Sequence, residues 1–435
     1  MHRTLVISLF GLISVGMAAC QEESPTTLDA DLLPKEPITI EIELPWEDFA
    51  SDLEVFGGYG APWELGTGVV ANAFAGILDA RTLVRFAAYP SVHQVRDTTG
   101  TTRPDSSLTF VGGRVVAFFD TIASITSGPV TLGLGAIQTR WDKRTVTWVA
   151  AVDTLNDLTP WPQPGAGPVN SIGTTVWDPA EGDSAWFELD SVQVEAWADT
   201  ADASRGARIE LLTENTRLQV SRVVLRLDTR PSSNPDTLVV LSVQRDEISF
   251  VYDPFPEPPA NGIRIGGVPA WRTVLNVKIP THLDGPAELC VAVGGCPMEL
   301  EPLQLNYAAI TLKSARGEQA FQPTDSVGLD VRQVLRRDAL PKAPLGESLT
   351  GLLGQRVGPD AFGVHAGTDI EIPITAFVRN LLRDQDGVAN PTKTLALLSV
   401  FEPISIAYAS FHGPGDENGP VLRLIVTVGR AMELP

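Results

Sequence analysis

Apolar and polar residues alternate with period two in short stretches that recur along most of the chain. Ile38-Thr39-Ile40-Glu41-Ile42-Glu43-Leu44 is the first of them, the pattern of a strand with one buried face. Comparable runs at 83–86, 114–119, 130–134, 145–149, 208–212, 238–243, 273–279, 303–312 and 421–428 predict further strands. Within 218–227 the apolar phase switches at Arg222, from Leu218 and Val220 to Val223, Leu225 and Leu227, which predicts a bulge or a break between two strands. Val194 and Trp197 stand at i, i+3 and predict one turn of helix with two apolar groups on one side. The expected fold class is all-β and antiparallel.

One apolar stretch departs from alternation. After Met1-His2-Arg3, residues 4–15 form an uncharged run, closed by the small residues of Gly16-Met17-Ala18-Ala19-Cys20. The run has the length of an export-signal core and is too short to span a bilayer. Its end resembles a bacterial lipobox, which implies cleavage after residue 19 and acylation of Cys20. An ordinary cysteine just after a secretory cleavage site is the alternative. Gln21 in place of Asp implies, by the same resemblance, transfer to the outer membrane. One acyl chain binds membranes marginally, at about 0.8 kcal/mol per buried CH₂, so several chains on one residue would make the anchor lasting. The expected membrane partner is therefore the lipid layer, reached through Cys20, with the polar, proline-containing residues 20–37 as a tether.

The best internal boundary is Asp253-Pro254-Phe255-Pro256-Glu257-Pro258-Pro259-Ala260-Asn261-Gly262, whose four prolines exclude a central strand. The halves on either side look alike. Arg81-Thr82-Leu83-Val84-Arg85-Phe86 parallels Arg272-Thr273-Val274-Leu275-Asn276-Val277, and Val194-Glu195-Ala196-Trp197 parallels Val378-Arg379-Asn380-Leu381. Chance likeness between β-rich stretches is the alternative to a shared fold.

Composition narrows the function. With 38 Gly and 34 Pro, turns outnumber long helices, and the net charge of −21 opposes nucleic-acid binding, which needs clustered cations. Cys290 and Cys296 flank Gly294-Gly295, and in an exported protein they are expected to form a disulfide. A two-cysteine metal site is the competing reading, with no histidine close in sequence to complete it.

Three landmarks carry a family resemblance. They are the strand 81–86 ending in Arg85-Phe86, the run Trp141-Asp142-Lys143-Arg144-Thr145-Val146-Thr147-Trp148, and Trp186-Phe187-Glu188-Leu189-Asp190 leading into Val194 and Trp197. Together they resemble the DNRLRE-type module, a jelly-roll β-sandwich of bacterial surface proteins related to certain carbohydrate-binding modules. The resemblance implies two tandem jelly-roll domains, 38–252 and a divergent 263–430, joined by the linker 253–262 and preceded by the signal 1–19 and the tether 20–37. On a strand, Val146 and Trp148 would enter the core while Thr145 and Thr147 coat the surface.

No enzyme signature stands out. His93, His282, His365 and His412 are scattered, and Ser410, His412 and Asp416 bring triad residue types into one local loop without the geometry that defines a triad. Asp384, Asp386 and Asn390 space oxygen ligands around Gly387 and suit a structural calcium ion, or else simply a turn. Trp161 and Trp177 sit beside prolines and turns, where exposed indoles could stack on sugar rings or, alternatively, cover the end of a sandwich. The expected function is a non-enzymatic, lipid-anchored surface protein that binds polysaccharide or matrix or has a structural role in the envelope. A carbohydrate-active lyase or hydrolase and an assembly module for envelope proteins are the alternatives.

Overall fold

The computed structural model describes residues 36–383 and 393–430. The signal, Cys20, and the calcium candidates Asp384, Asp386 and Asn390 lie outside the described residues. The described chain opens with β1 (Glu36–Pro45), a helical turn (Trp46–Phe49) and β2 (Ala50–Phe56). There follow β3 (Gly68–Phe74), β4 (Leu78–Phe86), β5 (His93–Arg96), β6 (Thr102–Asp105), β7 (Leu108–Ile125) and β8 (Val130–Ile137). Next come β9 (Ala150–Thr154), β10 (Asp157–Pro160), β11 (Val169–Trp177), β12 (Ser184–Leu189), a helix (Ser191–Ala198), β13 (Ala207–Leu211), β14 (Thr216–Pro231) and β15 (Val239–Asp253). Beyond the prolines are β16 (Ile263–Gly266), β17 (Arg272–Val277), β18 (His282–Leu283), a short helix (Ala287–Ala292), β19 (Met298–Glu299), β20 (Leu305–Lys313) and β21 (Val327–Val334). The chain closes with β22 (Leu345–Ser348), β23 (Gln355–Val357), β24 (Asp369–Pro373), a helix (Thr375–Arg383), β25 (Thr394–Ser399), β26 (Tyr408–Phe411) and β27 (Val421–Arg430).

All strand pairs among the described residues are antiparallel, as expected of an all-β sandwich. One sheet runs β11-β8-β13-β4-β15-β14-β7-β12, with β3 bridging β4 and β14. Inward side chains from both of its ends, among them Val84, Val115, Leu132, Phe187, Ile209 and Leu225, share one core, so the sheet folds over itself. Two other sheets, β2-β17-β25-β21-β22 and β1-β27-β20-β24, enclose a second core that includes Phe49, Leu275, Ile310, Leu329, Phe362 and Leu424. Between these two sandwiches lies an apolar seam built from both, with Val69, Phe74 and Phe250 meeting Trp271, Phe321 and Tyr408.

One boundary needs correction. Residues 36–56 do not join the sheet of β3 to β15, as a unit spanning 38–252 requires. β1 pairs along its whole length with β27, from Glu36 opposite Arg430 to Pro45 opposite Val421, and β2 pairs with β17. Ile40, Ile42, Leu44 and Phe49 are buried in the second core. The period-two pattern gives a strand and its buried face, but it does not name the sheet that the strand joins.

Local chemistry explains two further details. The helix at Ser191–Ala198 starts where the Asp190 carboxylate accepts the Gln193 N–H at 2.8 Å, a side-chain cap for an otherwise unpaired donor. Its Val194 and Trp197 are buried, with the Trp197 ring 5.4 Å from Phe86. At Arg222 the strand continues, and the pairing of β14 with β7 slips between Val220 and Arg222, a bulge. The expected strand at 145–149 is absent. Asp142 accepts the Arg144 N–H at 2.8 Å, and its carbonyl accepts Val146 at 3.0 Å. This side-chain-stabilised turn overrides the short alternation that follows it.

A single carboxylate pins the first sandwich at one edge. Asp105 at the end of β6 accepts the backbone N–H groups of Ser107 and Ser233 and the hydroxyls of Ser232 and Ser233, tying the β5-β6 hairpin to the turn after β14. These donors, the Ser233 hydroxyl first, lower its pKa from 3.8 to about 2. A lowered carboxylate stabilises the fold above its unfolded value and loses that contribution as pH falls toward its folded one. Stability of the first sandwich should therefore drop between about pH 4 and pH 2, and Asp105→Asn should flatten that part of the urea-midpoint profile. An unchanged profile would remove Asp105 from this role.

Candidate functional site

The two candidate sugar-stacking tryptophans are interior, which removes them as stacking residues and fits the alternative that they cover the end of a sandwich. Trp161 is buried with Leu83, Trp141, Val146 and Val251, and its indole N–H donates to the Thr147 carbonyl at 3.0 Å. Trp177 is buried against Phe119, ring centres 4.6 Å apart, and donates to the Gly182 carbonyl at 3.0 Å. Both sit beside turns, as their prolines and glycines indicate, yet each ring folds back over the sheet, Trp161 meeting a carbonyl of the neighbouring Trp141 to Trp148 loop and Trp177 one of its own turn.

The Trp141 to Trp148 loop is held by arginines of β4. The Arg85 guanidinium lies 4.5 Å from the Trp141 ring and forms an ion pair with Glu247, and Arg81 lies 5.0 Å from the Trp148 ring. Arg208 pairs with Glu210 at 2.9 Å beside it. Stacking on delocalised cations fixes both indoles, burying Trp141 and leaving Trp148 half-buried.

Where this loop meets the second sandwich it opens an apolar groove of about 160 Å³. Trp148, Tyr252, Phe255, Pro62, Val268 and Pro269 line it. The Tyr252 and Phe255 rings are stacked, 6.0 Å apart at 24°, and the Tyr252 hydroxyl donates to the Val268 carbonyl at 2.6 Å. Burial pushes the Tyr252 hydroxyl pKa up, so it stays a donor. Phe255 is 59% exposed. It stands in the proline run, where the sequence shows a linker and gives no sign that its aromatic residue would face a groove.

A second cleft along the same seam, about 270 Å³, has a mixed lining of polar and apolar residues. Thr67, Gln219, Ser326 and Ser405 line it, with Asp120 and Asp325 at its walls. Arg217 reaches it while only 4% exposed; it donates to the Ala320 carbonyl at 2.7 Å and stacks on Phe74 at 5.3 Å. Among the described residues no carboxylate lies within ion-pair range of it, and burial lowers its pKa to about 10. Nothing local in the sequence marks the burial of Arg217.

Cys290 and Cys296 form a disulfide, with Cα atoms 5.0 Å apart. Gly294 and Gly295 between them hold φ of +80° and +142°, which residues with a Cβ rarely adopt. His412 Nδ1 lies 2.9 Å from Asp416 Oδ2 in the loop after β26, and among the described residues no hydrogen bond brings Ser410 to that pair. No group of metal-binding side chains is found among the described residues, and none of their helices is long and apolar enough to cross a membrane.

No family model matches the chain, and no curated protein does either. Among solved structures, that of the Macrobrachium rosenbergii nodavirus aligns over 94% of this chain and 94% of its own at 10% identity, with a TM-score of 0.12. Overlap that slight carries no argument.

Proposed function

We propose that this protein is a non-enzymatic, lipid-anchored component of the outer membrane that holds polysaccharide at the cell envelope. The supporting observation is the groove of Trp148, Tyr252 and Phe255, an aromatic surface that is partly open and fixed by neighbouring arginines and prolines. The apolar face of a sugar ring gains from stacking on such rings, and an already ordered surface loses little freedom on binding. Acylated Cys20 would keep the sandwiches at the membrane, and the acidic surface would keep them off nucleic acid and other polyanions.

The test is retention of the signal-less protein on insoluble polysaccharides. A stacking contact contributes about 1 kcal/mol. Phe255→Ala should therefore weaken retention roughly fivefold, while losing its stack on Tyr252 costs stability no more than about 1 kcal/mol. Trp161→Ala should act only through stability. Failure of the wild type to bind any polysaccharide, or indifference of binding to Phe255, would defeat the proposal.

A further inference from the structure

The two sandwiches have the same neighbours in the same places. β8 lies between β11 and β13 as β21 lies between β22 and β25, and β4 lies between β13 and β15 as β17 lies between β25 and β2. β14 lies between β15 and β7 as β27 lies between β1 and β20, and β7 lies beside β12 as β20 lies beside β24. A helix follows β12 and another follows β24, and β3 pairs with the start of β14 as β16 pairs with β26. The sequence parallels between 81–86 and 272–277, and between 194–197 and 378–381, fall on matching elements, β4 with β17 and one helix with the other.

Apart from β23, a further partner of β21, and the β9-β10 hairpin, the main difference along these paths is connectivity. In the first sandwich the closing strand is β15: its first part pairs with β14, its second part with β4, and the register shifts between Arg245 and Glu247. In the second, the same place is taken by residues 36–56, where β1 pairs with β27, the turn Trp46–Phe49 makes the crossing, and β2 pairs with β17. Both closing segments run in the same sense relative to their neighbours. β14 joins β15 through residues 232–238, whereas β27 ends opposite the start of β1, so the equivalent connection is open there.

We infer that the chain is two copies of one unit, 36–231 and 239–430, and that each unit gives its first strand to the sandwich of the other. Residues 57–67 and 254–262 are then equivalent arms, each leading from a closing strand in one sandwich to the first strand of the next. This is reciprocal strand exchange, a route by which identical units dimerise, contained within one polypeptide. The binding partner of each unit is a second copy of that unit.

Two experiments on the full chain test the inference. In the first, residues 36–56 are moved to follow Arg430 through a copy of the 232–238 turn, restoring the connectivity of the first sandwich. Equivalence requires this rearranged protein to fold, with a urea midpoint for the second sandwich matching the wild type; a protein resembling a simple deletion of 36–56 would overturn it. In the second, a protease site is placed in 254–262 of the otherwise natural chain and cut. Exchange requires the two pieces to stay together in urea until the second sandwich unfolds, and a further cut in 57–67 should let them separate at lower urea with 36–56 retained by the 263–435 piece. Separation after the first cut alone, while both sandwiches are still folded, would equally overturn the inference. Neither readout involves polysaccharide, so a negative result here leaves the glycan proposal standing, and the reverse holds too.

Discussion

Deleting residues 36–56 is expected to unfold the second sandwich and spare the first, although the deleted segment is the farthest in sequence from the strand it pairs with. The segment buries Ile40, Ile42, Leu44 and Phe49 in the second core. At about 1.5 to 3 kcal/mol for each large apolar side chain, these are worth on the order of 10 kcal/mol, which equals the whole stability of a typical domain. The deletion also strips the β27 and β17 edges of their partners, leaving apolar strands open to self-association. Amide exchange gives the readout: protection should vanish in β27, β20 and β17 and persist in β8, β13 and β14. The point substitution Phe49→Ala, at a fully buried ring, should cost about 3 to 5 kcal/mol in the same sandwich. Persistent protection of β27 in the deletion would show that the segment is peripheral.

Why the fold was partly legible follows from the same strands. Alternation at 38–44, 114–119 and 421–428 survives because each strand has one face on a core, and side-chain period alone sets that. Pairing partners were not legible, because β1 meets β27 across nearly the whole chain and no local signal encodes that meeting. The same limit explains the tryptophans. Prolines around Trp161 correctly exclude a strand core, but whether a turn folds outward or back over a sheet depends on what the sheet offers. Here the sheet offers Leu83 and Val251, and the neighbouring 141–149 loop offers the Thr147 carbonyl. Conversely, Phe255 and Arg217 matter through what stands opposite them, Trp148 in one case and Ala320 in the other, and both partners are distant in sequence. The glycines at 294 and 295 are the contrasting case, since the demand for positive φ inside a small disulfide ring is local and the Gly-Gly pair between the two cysteines meets it.

Glu402→Ala should destabilise the second sandwich by about 3 kcal/mol or more, because it leaves a largely buried cation without its partner. Arg272 on β17 holds the Glu402 carboxylate with two donors, Nε to Oε2 at 2.9 Å and Nη2 to Oε2 at 2.5 Å, and its guanidinium stacks 3.7 Å from the Tyr59 ring. Tyr59 in turn donates to the Pro341 carbonyl, so the pair joins the arm after β2 to the far loop of the second sandwich. Burial nonetheless pushes the Glu402 pKa above the ordinary carboxylate value, outweighing the Arg272 hydrogen bonds that lower it. A carboxyl raised in the folded state contributes stability under acid and loses it as pH rises through the folded value. At neutral pH, then, the pair is costly to break but gains little over an apolar replacement. The double change Arg272→Met with Glu402→Leu should therefore stay within about 1 kcal/mol of the wild type at pH 7, and the wild type's standing relative to that variant should decline from pH 4 to pH 7. Urea unfolding of the three proteins across that range decides the matter: a double variant as damaged as Glu402→Ala would mean that the ion pair itself, and not the burial of an unpartnered charge, sets the stability of this joint.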